Sequence, residues 1–282
     1  MKTPDNLPII GKIAKYTIVD ELRNKSFVVM LVVCVACVSL IRGCYGGNYM
    51  VNGQALDAGS VARALSKVTF HCIAVGVMVM AALLSMQLFR RDRNEGMQSC
   101  VLSKPVARWQ YLMGKVLGIW LLSVLFMFIL HGMLFLITFM SLQIIMPEYL
   151  LASFICAMNL LFVVIAVLLL SLMMPDIVAF LCVLGVGIVG FVADGIAAAS
   201  QSQMGQAMMP HTGASPQPDA TWWKVVYYAW PKLLGVQQLG SSLLESRSFP
   251  GVGTLYPLIN ITFYSLLLGV ILFKRFMDED IA

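Results

Sequence analysis

The sequence predicts an all-α integral membrane protein with six transmembrane helices. Both termini are cytoplasmic, an interfacial helix precedes the first span, and a further cytoplasmic helix lies between spans 2 and 3. Three observations predict this. The 282 residues are 60% hydrophobic and 12% charged, with a mean hydropathy of +0.85, whereas soluble domains are roughly half apolar and about a quarter charged. Six uncharged apolar runs approach or exceed the roughly 20 residues that a helix needs to cross hydrocarbon. None alternates apolar and polar residues as a barrel strand does. Finally, thirteen of the 19 Lys and Arg residues fall in the N-terminal leader, in residues 90–115 and after the last run, with the other six spread over the opposite connections. Cytoplasmic loops carry such an excess of Lys and Arg.

The whole chain, 1–282, reads as one transmembrane domain. Residues 1–25 form the interfacial or cytoplasmic leader: Pro8 suits a first helical turn, and Ile9, Ile13 and Tyr16 share a face. The first span, 26–41, is short and ends at Arg42, whose long side chain can snorkel outward. A loop of turn-forming residues follows, and the second span, 68–89, returns to the cytoplasm. In residues 90–115, Gly96 and Pro105 bracket a short amphipathic helix with Met97, Cys100 and Val101 on one face. Pro105 suits the start of the next helix, with Ser103 as its cap. Arg108, Trp109 and Tyr111 suit the headgroup layer, and Lys115 snorkels toward it.

Spans 116–146 and 149–174 form a hairpin that turns outside at Pro147 and Glu148. The chain turns inside at Pro175, and Asp176 there suits the positive N-terminal end of span 177–193. Small residues in that span permit close helix approach, although Gly187 and Gly190 are three apart and so do not form a GxxxG pair. Residues 194–252 form one large outer loop, first rich in Gln, Met and Pro, then in aromatics. Trp222, Trp223, Val226, Tyr227 and Trp230 recur at helical spacing, as residues of the outer headgroup layer do. The last span, 253–273, ends at Lys274 and Arg275.

Composition excludes more chemistry than it suggests. The formal net charge of +5 is a topology signal and implies no nucleic-acid partner. Of seven cysteines five fall within spans, so no disulfide framework is implied. Gly11-Lys12 and Gly114-Lys115 lack the other residues of a Walker A loop, so ATP is not bound here in that manner. Within the spans only His71 and His131 are ionisable, which argues against an intramembrane enzyme and against proton or sodium coupling. They are the candidate ligands of an alternative reading, a haem- or copper-binding membrane anchor or redox subunit. Met204, Met208, Met209 and His211 are a candidate soft-metal cluster, and Cys34 and Cys37 form a CxxC in apolar surroundings that keep thiols inert.

The segment NEGMQSCVLSKPVARWQYLMGK carries the most specific pattern. Glu95-Gly96, a short apolar helix from Met97 to Leu102, Ser103-Lys104-Pro105, Arg108 and Gly114-Lys115 follow one another. In this the chain resembles the permease subunits of type-2, export-class ABC transporters, and is similar to permeases of copper-enzyme maturation and of drug and peptide resistance. The six spans, the interfacial leader and YYAWPKLLG before the last span extend the resemblance over most of the chain.

The resemblance implies a transport subunit without its own catalytic residues or cofactor, multi-pass in the inner (plasma) membrane. ATP and Mg belong to partner ABC ATPase subunits. A second permease, identical or paralogous, completes the transporter, and an external protein is a further partner. Residues 94–103 would be the coupling helix. Arg93, Glu95, Gly96 and Arg108 would meet the ATPase or brace the bend, with Met97, Val101 and Leu102 filling its groove.

Overall fold

The computed structural model describes residues 6–40, 50–51, 54–55, 58–94, 106–142, 148–201, 228–245 and 253–278. In these the chain is helical apart from one small hairpin. The helices are α1 (Asn6–Arg23), α2 (Lys25–Leu40), α3 (Ala58–Asn94), α4 (Arg108–Leu142), α5 (Glu148–Met173), α6 (Asp176–Gln201), α7 (Leu233–Glu245) and α8 (Tyr256–Asp278). Between α2 and α3, β1 (Met50–Val51) pairs antiparallel with β2 (Gln54–Ala55).

Helices α3, α4, α5, α6 and α8 are each long and apolar enough to cross a membrane. A sixth crossing is supplied by α1 and α2 if the pair, bent by 71°, counts as one span. The bend falls where the sequence interrupts its apolar run with Arg23, Asn24 and Lys25. Asn24 leaves the helix, and its carbonyl accepts from Phe27 N at 3.0 Å, which starts α2 afresh.

The core is built around α5, which packs against α3, α4, α6, α7 and α8. Its apolar stretch is 67% buried, against 17% for α6, which turns most of its surface outward. At 37 and 35 residues, α3 and α4 would run to roughly 50–55 Å at 1.5 Å per residue, well beyond a hydrocarbon core of about 30 Å. Both are therefore longer than one crossing needs.

Two elements differ from the sequence reading. The fourth helix begins at Arg108, three residues after Pro105, because Gln110 supplies the cap: its Oε1 accepts from Ala107 N at 3.1 Å. This is the reach-back half of a capping box. The stretch read as one outer loop also holds more structure than that: α6 continues to Gln201, and α7 packs against α3, α5, α6 and α8.

Candidate functional site

The three basic segments meet at one end of the bundle, around the first turns of α4. Gly114 and Gly118 bring α1 close: a Cβ on Gly114 would stand 2.6 Å from Ile13 Cβ, and one on Gly118 would stand 2.7 Å from Thr17 Cβ. This is a small-xxx-small seam between helices. On α8, Phe276 stacks on Tyr111 at 6.1 Å between centroids, and the Met277 carbonyl accepts from Arg108 Nη1 at 3.3 Å. The leader helix, the start of α4 and the end of α8 therefore share one face.

At that face α3 and α4 are joined by buried charges. Lys115 Nζ lies 2.8 Å from Asp92 Oδ2 and donates to Oδ1 at 3.0 Å, and Tyr111 donates its hydroxyl proton to the same carboxylate. Asp92 is completely buried and Lys115 nearly so. Water is excluded, so the carboxylate spends both oxygens on α4. The expectation that Lys115 snorkels to the surface is thus corrected, because a closer anion lies within the protein. The sequence signals were a lone acid within RRDR and Tyr111 and Lys115 four residues apart, on one face of α4.

A second ion pair holds the other end. Lys232 Nζ donates to Asp194 Oδ1 at 2.7 Å, tying the entry of α7 to α6, with both side chains buried. Burial pushes the Lys232 ammonium below its ordinary pKa, and the bond and charge of Asp194 pull it partly back. The same entry is gripped from three more sides. Asn159 Nδ2 of α5 donates to Leu233 O at 2.8 Å, Lys232 N donates to Asn260 Oδ1 of α8 at 3.1 Å, and Trp230 Nε1 donates to Val186 O of α6 at 3.2 Å. Neither ion pair was singled out from the sequence, where only the two histidines stood out as ionisable groups in spans.

Among the residues singled out from the sequence, Arg93 stands in the last turn of α3 and Arg108 opens α4. Glu95, Gly96, Met97, Val101 and Leu102 lie outside the described residues, as do Met204, Met208, Met209 and His211. Cys34 and Cys37 are free thiols. His131 is fully buried, stacks on Phe70 with centroids 4.5 Å apart and places Nδ1 2.6 Å from Ser153 Oγ. His71 Nδ1 lies 3.2 Å from Gln237 Oε1. Each ring is engaged by its own protein partner.

The family model for "ABC-2 family transporter protein" matches residues 12–217, which is most of the chain and runs from within α1 through α6. The chain belongs to that family. No curated protein matches it. As an ABC-2 family member with several long apolar helices it is a multi-pass integral membrane protein and a membrane-spanning permease subunit of an ABC transporter. Helices α7 and α8 lie beyond the matched region, so the Lys232 anchor is described by the structure alone.

Proposed function

We propose that this ABC-2 permease subunit receives motion from separate ATPase subunits through residues 94–103 and passes it through α3 and α4 into the bundle. The motion drives export or acts on an external partner protein. The observation that supports this reading is the joining of α3 and α4 by Asp92 and Lys115 beside that segment, at the end where the basic segments gather. Cytoplasmic loops attract such charge, which faces this end toward ATP. Helices that are longer than one crossing needs and are tied at their ends act as levers, and a push on their junction tilts both.

On this reading ATP and Mg are held by the ATPase, two permease chains, identical or paralogous, complete the transporter, and the membrane is the cell's inner one. Arg93, Glu95, Gly96 and Arg108 contact the ATPase or brace the bend, while Met97, Val101 and Leu102 fill its groove, as the apolar face of a docked helix does.

The test is co-purification in mild detergent. Tagged chain should bring down a nucleotide-binding partner, hydrolyse no ATP without it, and lose coupling when Glu95→Arg and Met97→Asp are combined. A chain that inserts and folds but recruits no ATPase overturns the reading.

A further inference from the structure

We infer that Asp92, Tyr111 and Lys115 are positioning residues that fix α3 against α4, so that a load on the segment between them turns the two helices as one body. The inference rests on the function proposed above and assigns the residues that keep its lever stiff.

The end of its own helix disfavours Asp92. The residue stands in the last turn of α3, two residues before Asn94, where the partial negative charge of the helix end disfavours a carboxylate. Its complete burial adds a desolvation cost. What offsets both lies on α4: the Lys115 ammonium against both carboxylate oxygens, at 2.8 and 3.0 Å, and the Tyr111 hydroxyl. Lys115 also lies 5.6 Å from the centre of the Tyr111 ring, so the three groups form one cluster.

A well-packed apolar contact could join two helices with equal or greater stability. It would tolerate sliding, because one methyl group replaces another. Charge-assisted hydrogen bonds do not: a slide of one turn, about 5.4 Å, would leave a carboxylate and an ammonium buried and apart. The cluster therefore opposes sliding between α3 and α4 and leaves rigid tilting of the pair free, which is what a lever requires. The same turns of α4 seat α1 at Gly114 and Gly118 and meet α8 at Phe276. A tilt of α4 is thereby shared with both.

The experiment uses the permease with its ATPase in lipid nanodiscs, in a cysteine-free background. Nitroxides are placed at positions 64 and 255, where Ala64 and Leu255 are exposed near the starts of α3 and α8, far from the cluster. Pulsed electron resonance measures their separation with and without ATP and vanadate. In the wild type trapping shifts the separation. Asp92→Asn should shrink the shift about two-fold or more with ATPase still bound, and Asp92→Lys combined with Lys115→Asp should restore it. If Asp92→Asn does not fold, Tyr111→Phe carries the test: it removes one hydrogen bond, keeps the ion pair, and should also shrink the shift. A merely structural clamp would alter thermal stability without altering the shift. A shift of wild-type size in folded Asp92→Asn or Tyr111→Phe overturns the inference. A wild-type complex that holds no ATPase, or shows no shift, overturns the reading beneath it.

Discussion

A Cβ added to Gly118 would stand 2.7 Å from Thr17 Cβ and 3.0 Å from Ala14 O, closer than packed carbon allows to either. The absent side chain is what lets α1 lie against α4. Gly118→Ala should therefore cost about 1–3 kcal/mol, the usual penalty of overpacking, and Gly114→Ala a similar amount. At Gly76, where nothing lies within 4 Å, the same substitution should be neutral or stabilise by up to about 1 kcal/mol, since it only lowers the entropy of the unfolded helix. Thermal unfolding in detergent measures all three; a harmless Gly118→Ala would refute the close seam.

Five of the six spans were legible as helices long and apolar enough to cross a membrane, because apolarity is a local property that each segment carries alone. The grouping of the basic segments was legible too: the Lys and Arg asymmetry grouped the leader, residues 90–115 and the C-terminus, and the structure gathers α1, the start of α4 and the end of α8 around Tyr111, Gly114 and Gly118. Partners across the fold were not. Lys115 beside an apolar run reads as a snorkelling residue until Asp92, 23 positions earlier, is known to lie against it. The seam Gly114-x-x-x-Gly118 is present in the sequence, but Gly114-Lys115 draws attention as a fragment of a nucleotide loop. Helix α7 has Gln237, Gln238, Ser241 and Ser242 and so reads as a loop. Three of them are buried with partners: Gln237 Oε1 lies against His71 of α3, and Ser241 and Ser242 donate to Gln238 O and Leu239 O of their own helix.

Asp194→Asn should remove the Asp194 charge from buried Lys232 and cost about 3–5 kcal/mol near neutral pH. The loss should depend on pH in a definite direction. Without the bond and charge of Asp194 to raise it, burial lowers the folded pKa of Lys232 further below that of the unfolded chain. Between the two values the unfolded chain holds a proton that the folded chain has released, so stability rises with pH up to about 10. The unfolding midpoint of Asp194→Asn should therefore climb as pH rises toward about 10, more steeply than that of the wild type, and a flat or falling curve would contradict the pairing. Asp194→Leu with Lys232→Met removes both charges and should recover most of the loss.

Ser153 Oγ donates to Tyr149 O at 2.8 Å and lies 2.6 Å from His131 Nδ1. Ser153→Ala removes the partner of a buried ring nitrogen and should destabilise the protein by about 1–3 kcal/mol. His131 then acts as packing that needs a polar neighbour. The purified protein should accordingly show no Soret band, before or after His131→Ala. A Soret band lost in that variant would restore the haem reading and would sink the packing role.

Asn159 separates global stability from local order. Its Nδ2 donates to Leu233 O at 2.8 Å, whereas its Oδ1 is buried with no hydrogen-bond partner among the described residues. Asn159→Leu breaks the one bond but also removes the unpaired acceptor, and these effects oppose each other at about 1 kcal/mol apiece. Global unfolding should move by less than about 1 kcal/mol. One anchor of α7, the one from α5, is nevertheless gone, and hydrogen exchange should quicken in α7 around Val236 to Leu239 while α5 stays protected. A uniform change in both helices would mean that Asn159 serves the core of α5 and not the entry of α7.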